Sequence, residues 1–145
     1  MKKAAAKLHR RGVTIPDPLP PMGVMIEVPG AALAADAFAQ TSDFFAIGSN
    51  DLTMYTLAID RGNEHVAHLF DPLHPGVLRL IQFTATAALR ARIPVSICGE
   101  MASDPRYSAL LLGLGIRDLS MSPSSIPRVK QRVREMDMDP GNRRA

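Results

Sequence analysis

Four short apolar runs punctuate the chain, and each ends on or just before a polar residue. The first, Gly23-Val24-Met25-Ile26-Glu27, stops at a carboxylate and is closed by Pro29. The second, Phe44-Phe45-Ala46-Ile47-Gly48, runs into Ser49-Asn50-Asp51. The third is Pro94-Val95-Ser96-Ile97-Cys98, followed by Gly99, and the fourth is Leu119-Ser120-Met121-Ser122. Continuous runs of this length read as strands buried on both faces of a parallel sheet. Helical period lies between them. Residues 30–40 are strong helix formers, with Leu33, Ala34, Ala37 and Phe38 predicted on one face. Pro75 opens a helix at its tolerated first position, and Val77, Leu78, Ile81, Ala85 and Ala88 hold the period to residue 91. Asp104-Pro105 caps and starts a helix that runs to Gly113. Ser124 is the expected cap of a last helix with Ile126, Val129, Val133 and Met136 on one face and Arg128, Lys130, Arg132 and Arg134 on the other. The segment 52–74 has no clear period and reads as a long polar loop with a helical turn.

The two ends differ from this pattern. Residues 1–22 read as a basic, alanine-rich helix that stops at Gly12, then a stiff connector with four prolines in residues 13–22. Residues 23–138 form the strand-and-helix unit, and residues 139–145, around Pro140, are expected to be a disordered tail. The order is helix, then strand and helix four times over, which predicts an α/β fold with a parallel sheet and right-handed crossovers. Periodicity alone does not separate an open sheet from part of a barrel.

Parallel α/β folds place their chemistry at the C-terminal ends of the strands, and the polar residues fall there. Glu27 and Asp51 are carboxylates at neighbouring strand ends, the hard oxygen ligands that suit Mg²⁺ with water and a phosphorylated substrate. Each taken alone is as compatible with a helix cap or a surface charge. Arg61, in Asp60-Arg61-Gly62-Asn63, can grip a carboxylate or phosphate with its planar fork, or simply sit in a turn. Cys98, before Gly99-Glu100, reads as an acid, a nucleophile or a small core residue. The turn Ser122-Pro123-Ser124-Ser125 lies at a helix N-terminus able to receive an anion. His65, His68 and His74 are near one another, without cysteine or carboxylate partners at zinc spacing.

Composition narrows the classes. Hydrophobic residues are 46% of the 145 and charged residues 21%, enough apolar side chain for a real core. The net charge of +3 gathers largely at the ends, in Lys2, Lys3, Lys7, Arg10, Arg11, Arg143 and Arg144. With two Tyr, five Phe and no Trp there is no aromatic-basic surface for stacking bases, so solvated ends are expected and nucleic acid is not. A single cysteine allows no intrachain disulfide, which fits a reducing cytoplasm. No apolar stretch approaches the roughly 18–20 residues needed to cross a bilayer, and the start lacks the apolar centre of a secretory signal.

Three stretches together carry a likeness: GVMIEVPGAAL, FFAIGSNDLTMYTLAIDRGN and ICGEMASDPRYSALLLGLGIRDLSMSPSSIPRVK. Over residues 23–136 the chain resembles the phosphoenolpyruvate-utilising enzymes. YTLAIDRGN is similar to enzyme I of the bacterial sugar phosphotransferase system rather than to pyruvate phosphate dikinase or phosphoenolpyruvate synthase. The resemblance implies part of a phosphoenolpyruvate–protein phosphotransferase, in the form of half of a (β/α)₈ TIM-type barrel with four strands and about five helices. It implies phosphoenolpyruvate and Mg²⁺ at the strand ends, Glu27 and Asp51 as metal ligands, and Asn50, Asp51 and Arg61 on the substrate. Cys98 would be the acid that protonates carbon 3, with Glu100 supporting its loop. The phosphoryl group would pass to a histidine on another domain and on to an HPr-type phosphocarrier. None of His9, His65, His68 and His74 matches that histidine's motif. Met54 and Ser103 stand where the family usually has glutamine and glycine, and the C-terminal tail is shorter than in enzyme I. A whole barrel needs about 250 residues, so an inactive half-barrel is expected, with homo-oligomerisation through its open edges. The alternatives are a non-catalytic dimerisation module derived from this enzyme, or a fragment of a pyruvate phosphate dikinase or phosphoenolpyruvate synthase.

Overall fold

A computed structural model describes residues 1–136. The elements in chain order are α1 (Lys2–Arg10), β1 (Val24–Ile26), α2 (Pro29–Leu33), α3 (Ala35–Ala39), β2 (Phe45–Gly48), α4 (Ser49–Leu57), α5 (Pro75–Ala91), β3 (Val95–Cys98), α6 (Glu100–Ser103), α7 (Ser108–Gly113), β4 (Asp118–Leu119) and α8 (Ile126–Glu135). Single 3₁₀ turns sit at Ala67–Leu69, Pro105–Tyr107 and Pro123–Ser125. The tail expected at residues 139–145 lies outside the described residues.

The four strands form one parallel sheet in the order β1-β2-β3-β4. Ile26 pairs with Ile47, Ile47 with Ile97, and Ile97 with Leu119, so one row of branched side chains crosses the sheet. Ile26, Ile47 and Ile97 are fully buried. Burying each contributes about 1.5–3 kcal/mol. Doubly wound sheets reverse strand order at a switch point. Here the order rises without reversal and every chain step moves to the next strand, the winding of a barrel segment.

α5 is the long helix and the main cover of the sheet. Its buried residues include Val77, Leu80, Ile81, Thr84, Ala85 and Ala88, and it packs chiefly on α2 and α3, with further contacts to α4, β2 and β3. The helix expected over residues 30–40 is instead two short ones that break at Ala34, whose backbone leaves helical geometry at φ −95°, ψ 13°. The break changes the buried face. Ala32 and Ala35 turn inward, Leu33 is 66% exposed, and Ala34, Ala37 and Phe38 are also outward. Small residues at positions 32 and 35 let the backbone approach α5 closely.

The loop expected over residues 52–74 also needs correction. Residues 49–57 are the helix α4, and its polar look is deceptive. Thr53 Oγ1 donates to the Ser49 carbonyl at 2.7 Å and Thr56 Oγ1 to the Leu52 carbonyl at 2.5 Å, so the hydroxyls bond within the helix. Leu52 and Thr53 are buried. Three further boundaries shift. β4 is Asp118–Leu119, earlier than the apolar run suggested, although the Ser120 amide still donates to the Ile97 carbonyl at 2.9 Å. α6 forms directly after β3, and α7 follows a 3₁₀ turn capped by Asp104. Ser124 does not cap α8: Ser122 Oγ engages the hydroxyls of Ser124 and Ser125 at 3.2 and 3.1 Å, and the turn between is 3₁₀. On α8 only Val129 is buried. α1 ends as expected, with Gly12 at φ +73° returning its amide to the His9 carbonyl.

Candidate functional site

The ends of β1, β2 and β3 are held together by short, specific contacts. Gly48 closes β2 beside Glu27. A methyl group on Gly48 would sit 2.9 Å from Glu27 Cβ and 3.0 Å from its Oε2, so glycine there lets the carboxylate lie across the strand end. Cys98 ends β3 directly opposite Gly48 in register. Its thiol is half-buried and donates to the Ile47 carbonyl at 3.5 Å.

The loop after Cys98 is fixed from β2. Ser49 Oγ donates to the Cys98 carbonyl at 2.6 Å, and the Glu100 amide donates to Asn50 Oδ1 at 3.1 Å. Gly99 passes between them at φ +95°, where a side chain is strained; an added Cβ would lie 2.6 Å from Ser49 Oγ and 2.8 Å from Asn50 Oδ1. Asn50 therefore uses its carbonyl oxygen inside the protein. Its two amide N–H donors carry no protein bond among the described residues and remain available for an acceptor.

Asp51 is exposed in the first turn of α4, where the helix N-terminus favours negative charge. Arg61 reaches the same face from the loop after α4. Its Nη2 lies 3.1 Å from Glu100 Oε1, and its guanidinium carbon is 5.0 Å from the centroid of the Phe70 ring. Thus the structure brings Glu27, Asn50, Asp51, Arg61 and Cys98 to one end of the sheet, with Glu100 joining the Asn50 and Arg61 contacts.

The other candidates separate from this group. His74 Nδ1 accepts from the Gly76 amide at 3.1 Å and caps α5. Among the described residues no three His, Cys, Asp or Glu side chains gather as a metal cluster. Glu27 and Asp51 offer carboxylate oxygens, the donor type that Mg²⁺ takes alongside water and ligand oxygens. Beside the β4 end, Glu100, Ser103, Asp104, Arg106, Ser125 and Arg128 line an open depression of about 460 Å³. Arg106 is occupied there. It binds Asp104 through Nε at 2.9 Å and Nη2 at 2.6 Å, which holds the Asp104 carboxyl below its usual range.

Two contributors were hidden in the sequence. Ser49 reads as part of a polar stretch, although its position directly after a strand-ending glycine was a usable signal. Phe70, in His68-Leu69-Phe70-Asp71, gives no sequence sign that it meets Arg61.

Carboxylates, a thiol and an arginine-bearing loop thus gather at the C-terminal end of a parallel α/β sheet, the end where domains of this class carry their ligand sites. A family model described as the PEP-binding domain of PEP-utilising enzymes matches residues 1–138, and the chain belongs to that family. Among curated relatives it is 52% identical over 131 residues to the phosphoenolpyruvate-protein phosphotransferase of Cupriavidus necator, covering 90% of this chain and 22% of that protein. It is 48% identical over 136 residues to the protein of the same name from Haloferax volcanii, covering 94% and 24%. To the multiphosphoryl transfer protein of Xanthomonas campestris it is 53% identical over 114 residues, covering 79% and 14%. The chain thus spans about a fifth of the length of the phosphotransferases it matches, and the likeness read from its motifs is borne out.

Proposed function

We propose that this chain supplies one side of a Mg²⁺-dependent phosphoenolpyruvate site in a phosphoenolpyruvate–protein phosphotransferase of the sugar phosphotransferase system. The observation that supports it best is the joining of the β2 and β3 ends through Asn50 and Ser49, which presents Asp51, Asn50 and Cys98 together. Glu27 and Asp51 would hold the ion. When bound, Mg²⁺ offsets negative charge on the substrate oxygens during phosphoryl transfer. Arg61 grips the anionic end of the ligand, and the free amide donors of Asn50 orient it. The Cys98 thiol, now shared with the Ile47 carbonyl, delivers its proton to carbon 3 of the enolate left after phosphoryl loss.

The acceptor histidine belongs to another domain, and an HPr-type phosphocarrier receives the group from it, in the cytoplasm. The chain on its own binds ligand without completing transfer. No helix among the described residues is long and apolar enough to cross a membrane.

The test is calorimetric titration of phosphoenolpyruvate with and without Mg²⁺. Binding that needs Mg²⁺ and is lost in Asp51→Ala is the expected result. Equal binding by the Asp51→Ala variant would sink the proposed ion site. A second reading, self-association, rests on the unpaired outer edges of β1 and β4 among the described residues and on exposed Leu33, Phe83 and Leu89. Light scattering should give a homo-oligomer mass, unchanged by Asp51→Ala. A stable monomer would refute it.

A further inference from the structure

Two arginines lie near the strand ends, and they are held differently. Arg106 is locked by Asp104 through three short N–H···O contacts from Nε and Nη2. Arg61 has a single 3.1 Å contact with Glu100, without an aligned hydrogen bond among the described residues, and the Glu100 side chain is 66% exposed. A carboxylate that exposed and that poorly aligned contributes little and exchanges readily. The ring of Phe70 lies beneath the guanidinium, 5.0 Å from its carbon to the ring centroid.

That placement is built by the loop itself. Gly62 donates to Asp60 Oδ1 at 2.8 Å and His65 to Asn63 Oδ1 at 3.0 Å. The Ala67 amide then returns to the Asn63 carbonyl at 2.9 Å and the Phe70 amide to the Ala67 carbonyl at 3.1 Å. This chain of local bonds folds residues 60–70 back so that Phe70 meets Arg61. An aromatic face attracts a guanidinium without using any of its N–H donors. The fork therefore stays free for a carboxylate or phosphate while its position is set.

We propose that Phe70 and Glu100 are positioning residues for Arg61: Phe70 is the fixed platform, and Glu100 is an exchangeable counterion that the incoming anion displaces. The inference deepens the phosphoenolpyruvate reading and rests on it for the displacement step. The platform itself does not need a ligand.

The first arm is NMR of the ligand-free chain, following the Arg61 Nε–Hε signal. The Phe70 ring current should shift that signal upfield. Phe70→Leu should return it downfield, and Phe70→Tyr should keep it. A signal that ignores Phe70→Leu overturns the platform. The second arm is titration with phosphoenolpyruvate and Mg²⁺. Phe70→Leu should weaken binding roughly 2- to 5-fold, the scale of an exposed cation–π contact, with Phe70→Tyr restoring it. Glu100→Gln should tighten binding by up to about 5-fold, and that gain should vanish in an Arg61→Met background. Weaker binding in Glu100→Gln, or a gain that survives Arg61→Met, overturns the counterion role. If the wild-type chain takes up no phosphoenolpyruvate while the Arg61 signal responds to Phe70, the phosphoenolpyruvate reading fails with the displacement step and the platform stands. If the wild type binds and Phe70→Leu binds equally well, the platform role in binding is refuted.

Discussion

Gly99 shows how much of this site depends on single backbone positions. Its φ of +95° and the 2.6 Å and 2.8 Å approaches to Ser49 and Asn50 leave no room for a methyl group. Gly99→Ala should lower stability by roughly 1–3 kcal/mol, measured by urea unfolding. Gly30, with open space around its Cβ position, is the internal control. In α2, Gly30→Ala should be neutral or stabilising by up to about 1 kcal/mol. Equal losses at both positions would contradict the packing described. At this scale the sequence was informative where residue type and position both pointed to chemistry. Glu27 follows β1, Cys98 ends β3 and Asp51 lies in the first turn of α4 after β2, so all three fall at one end of the sheet. It was silent on Phe70, because an aromatic residue in a polar loop carries no sign of what it touches. Nor did it show that the Asn50 carbonyl oxygen braces the Cys98 loop, a bond between residues fifty apart in the chain.

Among the elements, the turn from β3 to α7 depends on Asp104. Its Oδ1 accepts from the Arg106 amide at 2.9 Å, and the same carboxylate pairs with the Arg106 side chain. That side-chain hydrogen bond is the main cause that lowers the Asp104 pKa. A carboxyl with a lowered folded pKa stabilises above its ordinary titration range and loses that contribution as pH falls through the folded value. Asp104→Ala should therefore cost about 1 kcal/mol near neutral pH, and the gap to wild type should close as pH drops below the carboxylate range. Unfolding curves across pH check this, and a gap that widens in acid would refute the assignment. Asp104 was legible as a cap because Asp-Pro marks a first helical turn. α4 was not, because its hydroxyl and amide side chains look like a loop until their bonds within the helix and across to β3 are seen. The break at Ala34 was hidden for the opposite reason: an unbroken run of good helix formers says nothing about where packing against α5 interrupts it.

For the whole molecule, strand burial and alternation were enough to predict a parallel α/β fold, since fully apolar runs leave few other arrangements. They could not distinguish an open sheet from a barrel segment, because winding direction is set by how each crossover returns and not by periodicity. The order β1-β2-β3-β4 is that of a barrel segment, and the match to the PEP-binding domain family agrees with it. It also explains why the candidate site is one-sided: three neighbouring strand ends contribute, and contacts among them run through β2. The central claim is that these ends form one metal and ligand site. Its most direct test is NMR of the chain with phosphoenolpyruvate and Mn²⁺ as a paramagnetic stand-in for Mg²⁺. The account predicts selective broadening of amides near Glu27, Asn50, Asp51 and the Cys98–Glu100 loop, abolished in Asp51→Ala. Broadening centred on His65, His68 and His74, or broadening that Asp51→Ala leaves in place, would contradict it.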